Sequence, residues 1–493
     1  MWLREVRGLG LIATLLLCWL DPAGQMLRAD ESAPRSQPAN LRAEAAEAMR
    51  KAVEFYRRKV AVHGGYVYRY SEDLSKREGE GKTGLDTVWV QPPGTPTVLL
   101  ALVDAYERTR EPYLLEAAKE AGECLRRGQL ESGGWTDRIE FEEKARARFA
   151  YRVDSQHAKR PFNTTTFDDD KSQAAIRAMM RLDQVLEFRE PSIHESVEYA
   201  LNSVLKAQFP NGAWSQGFSE FPVASEYPVK RASYPESWSR EYPGGPYWNF
   251  YTFNDNAIAD TIDTLLLASR IYGDDQYRAA FLRAGDFILL AQMPEPQPAW
   301  AQQYNFEMHP VWARKFEPPA ISGGESQGLI QTLLTMYLES GDRKYLKPIP
   351  RAIEYLRKSE IEPGRLARFY ELQSNRPLYF TRDYQLTYDG SDTPTHYGFK
   401  VSHKLDELQR KYDELERLDS AALAKRREQR WKKKDGSPSD SQVNSLIRSL
   451  DSRGAWVTEG RLSYHGKGDD TRRIIESTVF CRNLDSLSRY LAK

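Results

Sequence analysis

Two short acidic clusters and one arginine-rich stretch carry the side chains from which chemistry could be built. Asp168, Asp169 and Asp170 stand consecutively before an amphipathic run, and Asn254, Asp255 and Asn256 stand before the next one. Any single one of them is adequately explained as a helix cap, since Asp and Asn favour that position and suit the positive helix end. Three carboxylates in a row exceed what a cap requires, and the pattern recurs one segment later. Carboxylate and amide oxygens brought together from adjacent segments are the ligands a hard cation such as calcium takes. Arg314 lies in HPVWARKFEPPAISGGES, and Arg365, Arg368, Arg376 and Arg382 crowd GRLARFYELQSNRPLYFTRD. Isolated surface arginines contribute little. Guanidinium forks, however, grip carboxylates in pairs, and a row of them suits a polyanionic sugar acid. A cation site beside such a row fits removal of the proton α to a uronate carboxylate, with β-elimination following. A base must reach that proton directly. An arginine base is awkward, because its ordinary pKa lies far above neutrality. It could serve only as a scarce, well-placed neutral form, or with its pKa lowered by neighbouring cations.

These residues are far apart in sequence, so the elements between them must gather them. Internal repetition supplies the means. One unit starts at Thr95 with TVLLALVDAY, turns at RTREPY, continues as LLEAAKEAGECLRR and ends in QLESGGWTD. The next starts at Phe167, turns at FREPSI and ends in QFPNGAWSQ. A third starts at Phe253, turns at GDDQY and ends in QMPEPQPAWAQQY. A fourth starts at Glu325, turns at GDRKY and runs to GRLARFYEL. Apolar residues recur every three to four positions within each, as amphipathic helices require. The predicted architecture is all-α: an α/α toroid of repeated helix pairs, with an open helical solenoid as the structural alternative. A helix over 41–60 and another near 474–491 would be closing partners. Chain direction alternates with each helix, so the short turns fall on one rim and the long junctions on the other. GGW, DDD, GAW, NDN, WAQQY and ARFYE would then share one face, where long loops on a rigid scaffold usually carry function. Trp135, Trp214, Trp248, Trp300 and Tyr304 lie on or near these junctions. Core packing explains most of them, leaving one or two for ligand contact.

Charge is balanced, with 70 basic and 70 acidic side chains in 493 residues. That balance gives no global attraction to nucleic acid or an anionic membrane, so an anionic partner must be held locally. Residues 1–29 read as an export signal: Arg4 and Arg7, a short apolar run, then small residues. The run is too short for a stable membrane span, and a secreted or periplasmic protein is expected. Residues 30–40 read as a disordered polar segment, and 41–493 as the toroid. A charged helical insertion occupies about 395–445. Beyond Cys18, only Cys124 and Cys481 remain, a pair that export would permit to bridge.

The strings FDDDKSQAAIR, YWNFYTFNDN, PAWAQQYNFEMHPVWARKFEPPAISGGES and ARFYELQSNRPLYFTRD resemble polysaccharide lyase family ten, the pectate lyases. The closing STVFCRNLDSLSRYL is similar to that family's last helix. The resemblance covers roughly 41–382 and the final helix. It implies an α/α toroid that cleaves polygalacturonate, or demethylated pectin oligosaccharides, by calcium-dependent β-elimination. A monomer is expected, although the sequence does not fix the oligomeric state. Carried over position by position, it implies Arg314 as the proton-abstracting base. Asp168, Asp169 and Asp255 would line the calcium site. Arg368, Arg382, Asp168, Gln303 and Tyr304 would contact substrate. Two departures stand out: this chain has Asp-Asp-Asp where the family pattern is Asp-Asn-Asp, and the stretch from Thr393 to about 444 fits that pattern poorly. Two rival readings keep the same fold. A glycoside hydrolase would use two carboxylates as acid and base, and a non-catalytic module would merely hold an acidic polysaccharide. A terpene-cyclase-like toroid needs an apolar cavity lining, for which this rim is too charged.

Overall fold

The computed structural model describes residues 38–154, 156–432 and 436–492. Residues 1–29, expected from sequence to be an export signal, and residues 30–37 lie outside them. The helices are α1 (Pro38–Phe55), α2 (Thr95–Thr109), α3 (Pro112–Arg127), a single turn α4 (Glu143–Arg146), α5 (Lys171–Val185), α6 (Pro191–Lys206) and α7 (Ala257–Tyr272). They continue as α8 (Asp275–Ala291), α9 (Glu325–Ser340), α10 (Ile349–Lys358), α11 (Leu405–Glu416), α12 (Ser420–Trp431), α13 (Asp440–Arg448) and α14 (Ser477–Leu491). Helix α1 starts at Pro38, three residues ahead of the expected 41, because proline suits the first turn of a helix. Four pairs, α2/α3, α5/α6, α7/α8 and α9/α10, match the four repeat units.

Their tight turns follow from two local chemistries. In GDDQY and GDRKY, Gly273 (φ 70°) and Gly341 (φ 76°) end one helix in the left-handed conformation. Asp274 and Asp342 then accept hydrogen bonds from the backbone N–H groups of Gln276 and Lys344 at the start of the next segment. In RTREPY and FREPSI the next helix opens on Pro112 and Pro191, whose missing N–H costs nothing there.

The first helices of successive pairs pack on one another: α2 on α5, α5 on α7 and α7 on α9. Helix α14 packs on both α1 and α2, and strand 69–71 pairs antiparallel with 473–476. The two chain ends are thus joined rather than separated, as an open solenoid would leave them. The arc between α9 and α14 is filled by the charged insertion: α11 packs on α9 and α10, α12 on α9, and α13 on α1 and α14. The architecture is an α/α toroid.

The junctions are more regular than their sequence suggests. Short antiparallel strands weld each to the next: 87–89 with 138–140, 165–166 with 217–218, 251–252 with 303–304, and 320–322 with 369–371. The indole N–H groups of Trp135, Trp214, Trp300 and Trp456 donate to the carbonyls of Leu125, Val204, Ile288 and Leu446, ten or twelve residues earlier. Each tryptophan thereby folds its junction back onto the preceding helix. Burying one such ring contributes about 4–6 kcal/mol before conformational entropy is counted. Gln129, Gln208 and Gln292 repeat a second device. Each donates its amide N–H groups to its own junction and to the outer helix, or its start, of the following pair: Ser196, Ala280 and Pro348 respectively. Removing any one strands two buried carbonyls, at about 1–3 kcal/mol each. Gly212 (φ +94°) has no alternative, because a Cβ there would lie 2.0 Å from the Arg283 carbonyl oxygen.

Cys124 and Cys481 are both free thiols. Among the described residues, no helix is long and apolar enough to cross a membrane.

Candidate active site

The acidic clusters do not cap their helices. Neither α5 nor α7 receives a side-chain capping bond from the residue before it. Instead, two consecutive residues in each unit are left-handed: Asp169 (φ 48°) and Asp170 (φ 59°), then Asp255 (φ 47°) and Asn256 (φ 59°). Asp and Asn are the non-glycine residues that tolerate this region best, at a cost of roughly 1–2 kcal/mol each. The same strained turn, used twice, brings the carboxylates of two units together. One oxygen from each of Asp168, Asp169 and Asp255 lies within 4.8 Å of the others.

Their surroundings set their protonation. Burial raises the Asp168 carboxyl, but the charge and hydrogen bond of Lys171 (2.8 Å) and the Gln216 amide (2.6 Å) outweigh it, leaving it below its ordinary value. Asp169 is raised by burial and then by the charge of Asp168, and takes one hydrogen bond from Gln91, at 3.2 Å. Asp255 is pushed up to about 7 by burial, then by the charges of Asp168 and Asp169. Three carboxylates this close repel, and the repulsion is relieved by protons or by a cation. The amide oxygens of Gln91 and Gln216 are buried without a hydrogen-bond partner, although their N–H groups hold Asp169 and Asp168. Three converging carboxylates are a donor set that fits a hard divalent cation.

Arg314 closes the other side, its Nη2 lying 3.9 Å from Asp255 Oδ2. It sits on a tight turn in which the Glu317 N–H donates to its carbonyl. Glu317, whose side chain is 1% exposed, receives hydrogen bonds from the Arg314 backbone N–H, Nε and Nη2 at 3.0, 2.8 and 2.5 Å. Burial would lower the Arg314 pKa, but the hydrogen bonds and charge of Glu317, with Asp255 behind them, hold it above its usual range. Arg368 follows at the edge of strand 369–371. Its Nε donates to the Gly398 carbonyl at 2.6 Å, and its Nη1 lies 3.7 Å from Glu325. Tyr397 stands between the two, 5.7 Å from the Arg314 guanidinium carbon and 4.8 Å from that of Arg368.

The remaining candidates part company with the cluster. Tyr304 is fully buried; its hydroxyl donates to the Ala291 carbonyl and accepts the Ala301 N–H. It is a core residue, not a substrate contact. Tyr70 and Tyr370 likewise accept the N–H three residues earlier, from Val67 and Ala367. That recurrence at equivalent junctions marks the position as structural. Gln303 is also buried, paired in the 251–252 strand, and donates to the Tyr247 carbonyl; it supports the rim from behind. Arg382 is well exposed and paired with Asp392 at 3.0 Å. Arg365 contacts Ser402, and Arg376 lies over the Tyr388 ring. Of the arginine row, Arg368 is therefore the member tied to Arg314 through a shared aromatic ring. Lys171, Glu317 and Tyr397 were not singled out from sequence. Glu317 was visible in principle, three residues after Arg314 on a turn.

The pectic acid lyase family profile matches residues 129–365, which include the triad and Arg314. No curated protein sequence matches this chain. The fold is similar to a family 10 polysaccharide lyase from Cellvibrio cellulosa, at 18% identity over 60% of this chain and 92% of that one, with a TM-score of 0.45. A mutant of that enzyme in complex with trigalacturonic acid gives 17% identity over 65% and 98%, with the same score. A cellobiose 2-epimerase from Bacillus thermoamylovorans is similar at 14% identity over 92% and 100%, with a TM-score of 0.41. Likenesses this distant carry no functional weight. The stretch that holds the triad and Arg314, residues 129–365, is thus similar to the pectic acid lyase family of polysaccharide lyases.

Proposed function

We propose that this protein cleaves polygalacturonate by calcium-assisted β-elimination, with Arg314 as the base. The observation that carries the reading is the convergence of three carboxylates from two repeat units with a guanidinium from a third junction, 3.9 Å from Asp255. Asp168, Asp169 and Asp255 would hold calcium. Calcium, when bound, would neutralise the uronate carboxylate and lower the cost of the enolate-like charge that develops as the α-proton leaves.

The chain's own residues do the rest. Arg368, 13% exposed and fixed through its Nε, presents its remaining N–H groups as a fork for a uronate carboxylate. Arg314 is held in one orientation by three hydrogen bonds from its own backbone and side chain to Glu317, so little is lost in aligning it. Its neutral form is the one that accepts a proton. Glu317 keeps that form scarce, so turnover should climb with pH well into the alkaline range. On the sequence of residues 1–29, the enzyme acts outside the cytoplasm, secreted or periplasmic.

A second reading has one observation in its favour. Asp255 is raised to about 7 while neighbouring Asp168 is lowered, and carboxyls whose pKa values are driven apart can act as acid and base in a hydrolase. The products separate the two readings. Polygalacturonate incubated with the enzyme should give oligomers with an unsaturated non-reducing end, each lighter by one water than the hydrolysis product. Saturated products by mass spectrometry would favour the hydrolase.

A further inference from the structure

We propose that Tyr397 is a positioning residue that locks the guanidinium groups of Arg314 and Arg368 into their working geometry. The inference rests on the lyase reading above and adds a component from outside the family-matched stretch 129–365. Tyr397 lies in the segment whose sequence fits the family pattern poorly, ahead of the charged helices. Its hydroxyl donates to Glu317 Oε1 at 2.8 Å, the same carboxylate that grips Arg314 Nε and Nη2. Its ring lies within 5.7 Å of the Arg314 guanidinium carbon and 4.8 Å of that of Arg368, a distance at which a π-face attracts a cation.

The loop around it holds Arg368 a second way: the Gly398 carbonyl accepts from Arg368 Nε and the Phe399 carbonyl from its backbone N–H. The ring is itself fixed by Phe316 at 4.6 Å, Phe399 at 5.2 Å and Phe369 at 6.3 Å. One partly buried tyrosine therefore touches the proposed base, the carboxylate that orients it and the proposed substrate fork. Nothing else among the described contacts links all three. Tyr397 does not act on the substrate; it fixes the separation of the two groups that do.

The test compares Tyr397→Phe and Tyr397→Leu in the full-length enzyme on polygalacturonate with calcium, with Arg314→Lys as reference. Tyr397→Phe keeps the ring against both cations and loses only the hydrogen bond to Glu317. Its kcat should fall about tenfold, with KM within about twofold of wild type and an unchanged melting temperature. Tyr397→Leu removes the ring as well; its kcat should fall about 100-fold, the scale of a misplacement of roughly 1 Å, and KM should rise as Arg368 loosens. Phenylalanine should thus rescue about tenfold of the leucine defect. Wild-type kcat in Tyr397→Phe overturns the hydrogen-bonded role, and equal kcat loss in the two variants overturns the ring's role. Should Tyr397→Leu fail to fold, Tyr397→Phe alone decides. Full activity in Arg314→Lys overturns the underlying assignment of the base, and is recognised without any Tyr397 variant.

Discussion

Replacing Arg314 by lysine is expected to lower kcat on polygalacturonate by about 10²–10⁴-fold, the usual worth of a positioned general base, with a smaller change in KM. Lysine keeps a positive charge for Glu317 but cannot supply the planar fork that makes two side-chain hydrogen bonds to it at once. The shorter-range geometry toward the substrate proton is therefore lost while the charge balance is kept. Alanine is a poorer test. It would leave Glu317, 1% exposed, without its guanidinium partner, and breaking a buried ion pair from one side costs about 3–5 kcal/mol. Stability and chemistry would then fail together. Steady-state kinetics with a melting curve for each variant separates them: Arg314→Lys should melt close to wild type and turn over far more slowly.

Asp255→Asn is the second large effect, and its two consequences run in opposite directions. It removes one of three carboxylates, so calcium affinity measured by titration calorimetry should fall by at least about 100-fold, since affinity in oxygen-ligand sites is tuned over many decades by charge count. Lyase activity at limiting calcium should fall with it. Without calcium, the same variant should be more stable than wild type at pH 8, by about 1–3 °C in melting temperature. The reason lies in proton linkage. Asp255 has its carboxyl raised from 3.8 to about 7. Between those values the folded protein keeps a proton that the unfolded chain has released, so metal-free stability falls as pH rises through that window. Asparagine carries no such penalty. Calcium, which takes the ionised form, should stabilise wild type most above pH 7, and its melting-temperature increment should shrink as pH drops toward 5. An increment independent of pH would contradict the assignment of Asp255 as a ligand.

Much of the fold could be read from sequence because its signals are long or repeated. Sixteen-residue amphipathic runs, Gly-Asp and Glu-Pro turns, and a tryptophan at the same place in successive units each point to helix pairs. What escaped was short. The junction strands are two or three residues long, too brief for alternation to register. Paired left-handed residues at Asp169–Asp170 and Asp255–Asn256 cannot be told from ordinary caps by composition, since Asp and Asn serve both. The meeting of the acidic clusters was legible because it follows the repeat, whereas the burial of Tyr304 was not. Tyr304 had a structural counterpart at Tyr70 and Tyr370, and comparing those units would have placed it in the core. Tyr397 meets Glu317 and Arg314 across 80 residues of sequence, a relation that only the folded chain makes visible. The charged insertion, whose sequence showed its helices but not their partners, fills the arc that joins the last helix pair to the first.

The central claim is that acidic groups from two repeats and a guanidinium from the junction that follows them make one cation-dependent lyase site. It is tested most directly by following ultraviolet absorbance of unsaturated product from polygalacturonate with the purified protein, first with calcium, then with a chelator, then with calcium restored in excess. The account predicts a steady rise, its loss on chelation and its full return. Cleavage that continues at an unchanged rate under chelation, with no absorbance from a new double bond, would contradict it.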